Sequence, residues 1–254
     1  MNSLSKIAVF LPAVVLLSGC DGHTDQTLLP PDNARRVTVA VRVPEGITLL
    51  PMQMLYRSER CKSKDYNSSN EAYEIRGFNG FKQAFSPQGS GDLWQQNIAI
   101  DGGGPCQWQL NSLRVSFKIS DSNPLVKGKK VIETSYIFDF DDYGLSDGYG
   151  TGRAKEASGD LDLKTDFFPM ETHFSDNDIS LKFFGGDTRL ENWRRRFRLH
   201  DTQNILIEPI VHLDKVVTLE PPDKPGNWMA MYPDGSRSEI PRIAPDYDRL
   251  LSMK

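Results

Sequence analysis

Four places in this chain combine residue types and spacings that could do chemistry. Asp139, Asp141, Asp142 and Asp147 crowd carboxylates into a stretch with glycines at 144, 148, 150 and 152. Oxygen-rich loops suit calcium, but the spacing departs from D-x-[DN]-x-[DN]-G and no bidentate glutamate follows at the right distance. A solvated acidic loop, or one that meets a partner, fits the same pattern. Arg194, Arg196 and Arg198 alternate with Trp193, Arg195, Phe197 and Leu199, so a strand there presents three guanidinium groups on one face. Guanidinium forks onto carboxylates or phosphates, which makes a partner protein or lipid headgroups the targets, with a merely wet sheet face as the alternative. Arg195 shares parity with the apolar residues and calls for an edge position or a buried ion pair. Asp101-Gly102-Gly103-Gly104-Pro105-Cys106 has the glycines of a phosphate-cradling loop but neither its lysine nor its helix. A tight turn that positions Cys106 and Trp108 explains it better. Glu171, His173, Asp176 and Asp178 form the densest titratable cluster and read as a polar turn. There is no G-x-S-x-G elbow, no H-E-x-x-H pair and no nucleophile–base set with familiar spacing. These patterns assign no catalytic residue, no metal ligand and no cofactor, and they point to binding rather than catalysis.

The first twenty residues set the physical context. Lys6 precedes an apolar run from Ile7 to Leu17, broken by Pro12, which ends in Leu17-Ser18-Gly19-Cys20. Spanning a bilayer takes about 20 apolar residues, so this shorter run reads as a secretory leader over residues 1–19. Its ending resembles the bacterial lipobox, which implies that Cys20 becomes the lipidated N-terminus of the mature chain. Acyl chains contribute about 0.8 kcal/mol per buried methylene and would hold the protein to the periplasmic face of a bacterial membrane, inner or outer. Residues 20–35, polar and carrying Pro30-Pro31, then serve as a lipidated tether. Disulfides persist outside the cytoplasm. With Cys20 committed to lipid, Cys61 and Cys106 are the one intramolecular pair available, two free thiols being the alternative. A formal net charge of −4 supplies no basic domain for nucleic acid.

The elements that must position these residues are strands. Val37, Val39, Val41 and Val43 alternate with Arg36, Thr38, Ala40 and Arg42, a period-2 pattern with one buried face. Residues 52–57, 73–76 and 94–100 are weaker strands of the same kind. In the stretch from Cys106 to Ile119, the apolar parity of Trp108 and Leu110 differs from that of Leu113, Val115, Phe117 and Ile119. A bulge at Asn111-Ser112 lets both halves face one core. Further strands are expected over 131–140, with Ile132, Tyr136, Phe138 and Phe140 on one side, and over 179–183, 193–199 and 205–219. A closing hairpin turns on Pro233-Asp234-Gly235, and a helical turn lies near 246–253. The whole predicts an all-β protein of β-sandwich-like antiparallel sheets with one disulfide and little helix. A soft boundary at 141–160 separates a β region over 36–140 from one over 141–254, which is a second domain or a continuation of the first.

The Cys61 region, followed by Asp101-Gly102-Gly103-Gly104-Pro105-Cys106-Gln107-Trp108 leading into a long strand, resembles a group of gammaproteobacterial lipoproteins. These are similar to the periplasmic immunity proteins of type VI secretion lipase effectors. The resemblance spans residues 55 to 140 and carries no catalytic residues. It implies a membrane-anchored binding protein whose partner is a toxic phospholipase, neutralised by direct contact, and it carries over no interface positions. The contact residues expected from the loop and strand patterns themselves are Asp139, Asp141, Asp142 and Asp147 of the acidic loop and the face bearing Arg194, Arg196 and Arg198. A structural or assembly lipoprotein of the cell envelope is the alternative.

Overall fold

The computed structural model describes residues 24–141, 154–185, 194–222 and 225–254. The leader, Cys20, Asp142, Asp147, Trp193 and the glycines of the acidic loop lie outside the described residues. The alternating valines form β1 (Arg36–Arg42), with Val37, Val39 and Val41 fully buried. Next come β2 (Ile47–Leu49), β3 (Met52–Tyr66), β4 (Ala72–Gln83), β5 (Ser86–Pro87), β6 (Leu93–Ala99) and β7 (Asp101–Gly103). In β8 (Trp108–Ile119) the expected bulge is present: Leu55 pairs with Ser112 and Tyr56 with Leu110, which leaves Asn111 as the inserted residue. That single insertion switches parity, so Trp108, Leu110, Leu113, Val115, Phe117 and Ile119 all reach one core.

The strand expected over 131–140 is two: β9 (Lys130–Val131) and β10 (Thr134–Asp139). The break turns Ile132 outward, 36% exposed, instead of placing it beside the buried Tyr136 and Phe138. The chain continues through β11 (Lys155–Ser158), β12 (Leu161–His173), β13 (Ile179–Gly185), β14 (Arg194–His200) and β15 (Asn204–Val211). A turn in which the Lys215 amide donates to the His212 carbonyl divides β15 from β16 (Val217–Glu220), where the sequence suggests one long strand. The hairpin of β17 (Trp228–Met231) and β18 (Arg237–Ile240) closes on the expected proline-aspartate-glycine turn. Helix α1 (Tyr247–Leu251) follows, capped by the Asp246 carboxylate accepting from the Arg249 amide. No helix among the described residues is long and apolar enough to cross a membrane.

Two sheets stack as a sandwich. One runs β18-β17-β16-β12-β15-β1-β6-β5 with β13 and β9 attached; the other runs β11-β14-β10-β8-β3-β4 with β2 and β7 attached. Hairpin neighbours are antiparallel, but β1–β15, β12–β15, β12–β16, β10–β14 and β11–β14 are parallel, so both sheets are mixed. β1 lies between β6 and β15, and β10 between β8 and β14. Strands from the two sides of residue 140 therefore pair within each sheet, β1 with β15 and β10 with β14.

The sheets meet through Phe117 edge-on to Phe167, ring centres 5.2 Å apart, and through the Tyr56 hydroxyl donating to the Ala99 carbonyl at 2.6 Å. Adjacent aromatics explain a second core. Phe167 and Phe183 point into the sandwich, whereas Phe168 and Phe184 point outward into a cluster with Val217 and Leu219 of β16, Tyr232 of the C-terminal hairpin and Leu250 of the helix. Sheet strands buried on both faces need apolar residues at successive positions, which Phe167-Phe168 and Phe183-Phe184 supply.

Candidate functional site

A cleft of about 880 Å3 opens at one end of the sandwich, and five arginines line it: Arg35, Arg36, Arg57, Arg60 and Arg76. Glu59, Asp141 and Asp201 are its carboxylates, and Ile100, Leu110, Phe140 and Leu199 give it apolar surface. In a chain of formal charge −4, this is a locally basic place.

The cleft is held by the devices that make β3 bend. The pairing of β3 with β4 shifts register between Ser58 and Ser63. At this bulge the Ser58 hydroxyl donates to the Cys106 carbonyl at 2.6 Å and accepts from the amides of Arg60 and Cys61. Cys61 is bonded to Cys106, Cα atoms 5.3 Å apart, which joins the bulge to the turn before β8. Opposite it stands Gly77, where a Cβ would lie 1.7 Å from the Cys61 carbonyl oxygen; only glycine lets the bulged backbone settle there. Glu59 and Arg60 project from this braced corner into the cleft.

The N-terminal side is equally fixed. The stretch expected as a tether is instead laid onto the domain from Asp25 onward. Trp108 Nε1 donates to the Asp25 carbonyl at 3.1 Å, Asn79 to that of Gln26 at 2.7 Å, and the Leu29 amide to the Gly102 carbonyl at 3.0 Å. This explains the glycine run: a Cβ on Gly103 or Gly104 would lie 2.2 Å from the carbonyl oxygen of Leu29 or Thr27, and both glycines have positive φ. The run is thus a turn that leads to Cys106 and Trp108, as expected, and also the seat of the N-terminal segment. Arg35 closes the segment, its backbone amide and guanidinium both donating to the Asp101 carboxylate at 2.8 Å. Those guanidinium bonds hold the Asp101 carboxyl below its usual range against the opposing effect of burial.

The sequence candidates fall on both sides of the protein surface. Asp141 reaches the cleft: it accepts from the Asn111 side chain and lies 3.4 Å from Arg76 Nη1. The β8 bulge therefore places a cleft carboxylate as well as repairing core parity. Asp139 and Arg196 do not belong to any contact face. Both are buried, and Arg196 forks onto Asp139 through Nε at 2.5 Å and Nη2 at 3.2 Å. Arg198 is half-buried, Nε 4.0 Å from Glu156. For Arg194 the structure gives the backbone position at the start of β14. Arg195, the parity exception, is buried with its guanidinium 4.5 Å from the Phe167 ring centre and 5.3 Å from that of Tyr136. It also donates to the Gly185 carbonyl, so ring stacking and a backbone carbonyl are among the contacts that hold this buried cation.

The titratable cluster separates. His173 Nε2 is 2.6 Å from Glu171, which also takes the Lys129 ammonium, whereas Asp176 and Asp178 form the β12–β13 turn. Burial pushes the Glu171 carboxyl up, but the bonds from Lys129 and His173 outweigh it and leave it lowered. No group of three or more His, Cys, Asp or Glu among the described residues could hold a metal ion.

Sequence reading missed Arg35, Arg36, Arg57, Arg60 and Arg76, and with them Gln107, Gln109, Thr202 and Gln203. Gln107 and Asp201 both carry positive φ, 51° and 53°, a conformation that costs a non-glycine residue about 1–2 kcal/mol. Two backbone exceptions in one cleft are the kind of local strain that gathers at binding sites. The one sequence signal was the basic run around Cys61. The chain matches no known family model, and no curated protein or solved structure is significantly similar to it.

Proposed function

We propose that this chain is a lipid-anchored periplasmic binding protein that neutralises a secreted phospholipase by occupying it stoichiometrically. The observation that carries the reading is the arginine-lined cleft mounted on a disulfide-braced sandwich. Recognition residues work best when a rigid scaffold holds them, because little conformational freedom is then lost on binding. The cleft arginines come from the N-terminal segment, β1, β3 and β4, and the frame beneath them is cross-linked. Lipid attachment at Cys20 would concentrate such an inhibitor on the surface the phospholipase attacks.

The test is titration of the purified mature domain into a phospholipase effector encoded beside it. Lipid hydrolysis should fall linearly to zero at one equivalent, with a 1:1 complex by light scattering. In cells, palmitate should label the wild-type chain and not Cys20→Ala, and protection should need export of both proteins. Undiminished hydrolysis with no complex would overturn the proposal.

The alternative reading, an envelope assembly lipoprotein, is favoured by a different observation. β4 is the edge of its sheet and exposes Tyr73, Phe78 and Phe81, a surface suited to strand addition by another envelope protein.

A further inference from the structure

We infer that the cleft receives an extended acidic segment of the partner protein, with its carboxylates on Arg36 and Arg60. The inference rests on the proposed function only in taking a protein as the occupant.

The five arginines are not equivalent. Arg35 is committed to Asp101, and Arg76 to Glu59 and Asp141. Arg57 lies 6.0 Å from the Phe78 ring centre and donates to the Arg76 carbonyl. Arg36 donates only to the Asn97 side chain, and the Arg60 guanidinium makes no hydrogen bond or ion pair among the described residues. These two are supplied by different sheets, Arg36 by β1 and Arg60 by β3, so each wall of the cleft presents a guanidinium that no carboxylate among the described residues neutralises.

Three features select a peptide over a free phosphate or a lipid headgroup. The side-chain amides of Gln107, Gln109 and Gln203 line the cleft without hydrogen-bond partners among the described residues. Each amide offers a donor and an acceptor, which matches the alternating N–H and C=O of an extended backbone; an ionised phosphate has acceptors only. The apolar surface of Ile100, Leu110, Phe140 and Leu199 suits a hydrophobic side chain set between two acidic ones. Glu59, Asp141 and Asp201 at the same mouth repel a compact multiply charged anion more than a segment whose carboxylates are spaced apart.

The experiment selects random dodecapeptides displayed on phage against the immobilised mature domain, then measures the selected peptides by fluorescence anisotropy. Selection should enrich Asp and Glu flanking an apolar residue. Arg36→Glu and Arg60→Glu should each weaken binding by about a hundredfold, with melting temperatures near wild type because both residues are exposed. Lys82→Glu, an exposed charge on β4, is the control and should bind as wild type. Selected peptides without acidic residues, or acidic ones indifferent to both reversals, would overturn the inference. Competition by glycerol 3-phosphate or by phosphatidylglycerol vesicles at comparable strength would overturn it in favour of a lipid site. A second arm separates it from the proposed function: a phospholipase complex that survives both reversals removes the cleft assignment alone. Acidic peptides that bind, with no phospholipase complex formed, remove the inhibitor reading alone.

Discussion

Two sets of arginines behave oppositely in this protein. Those of β14 crowd four arginines into five positions of the sequence, and the structure spends Arg195 and Arg196 on its interior, one stacked on Phe167 and Tyr136, the other forked onto Asp139. Those of the cleft are scattered from Arg35 to Arg76 and are brought together at the surface. The difference teaches that alternation identifies a strand but not the environment of either face. β14 packs parallel to both β10 and β11, so it is an interior strand of its sheet, and within it Arg195 and Arg196 are buried. β1 instead begins at the cleft and β3 bulges beside it, so Arg36 and Arg60 stay in water.

That contrast is broken or sharpened most strongly by stability measurements. Arg196→Met strips Asp139 of its bidentate partner inside the protein and should cost about 3–5 kcal/mol, while Arg60→Ala should stay within about 0.5 kcal/mol. Urea unfolding of the two variants decides the matter, and comparable losses would erase the distinction. Adding Asp139→Leu to Arg196→Met should restore a large part of the deficit.

Next in size is the disulfide. Cys61 and Cys106 are 45 residues apart, and replacing both with serine should cost about 2–5 kcal/mol. The same change frees the bulge that carries Arg60, so binding through the cleft should weaken beyond what the stability loss alone explains. Loss of stability with cleft affinity intact would separate the frame from the mouth.

Gly103→Ala tests the seat of the N-terminal segment. With φ at +61° and a Cβ 2.2 Å from the Leu29 carbonyl oxygen, the segment must lift or the turn must deform, at roughly 1–2 kcal/mol for the backbone conformation alone. Hydrogen exchange at the Leu29 amide should accelerate sharply while amides of β8 stay protected. Unchanged exchange at Leu29 would mean the segment is not seated there.

Tyr56 in the core and Asp101 beneath Arg35 should also answer pH from opposite ends. Burial raises the Tyr56 hydroxyl to about 12, so its contribution is fully present below pH 10 and is lost as pH rises toward 12. Tyr56→Phe should flatten that alkaline limb of the unfolding curve. The Asp101 carboxyl is lowered by Arg35, so its contribution is complete above about pH 4 and fades as pH falls below that. Because Arg35 is largely exposed, this effect should be the smallest, under about 1 kcal/mol, and visible as faster exchange of the N-terminal segment at pH 3 rather than as global unfolding.

Much of the frame was legible in residues alone. Alternating valines fixed β1, the parity change between Leu110 and Leu113 located the Asn111 bulge, and the cysteine count left Cys61 to pair with Cys106. Each of these signals is local or combinatorial: side-chain direction alternates along a strand wherever that strand goes, and two cysteines permit one pairing. β12 went unread although Leu161 and Leu163 alternate with Asp162 and Lys164, because the alternation breaks at Phe167-Phe168-Pro169-Met170, a run that holds a proline and is buried on both faces. The single strand expected over 131–140 failed at Ile132 because pairing, not hydropathy, ends a strand. Glycines 102 to 104 announced a tight turn, but not that Thr27 and Leu29 would pass against it. Tertiary structure alone decided which charges are inside, since burial depends on what a distant segment lays over a face. It also made the cleft, whose walls run from Arg35 to Gln203 and exist only once β1, β3, β8 and the β14–β15 loop converge.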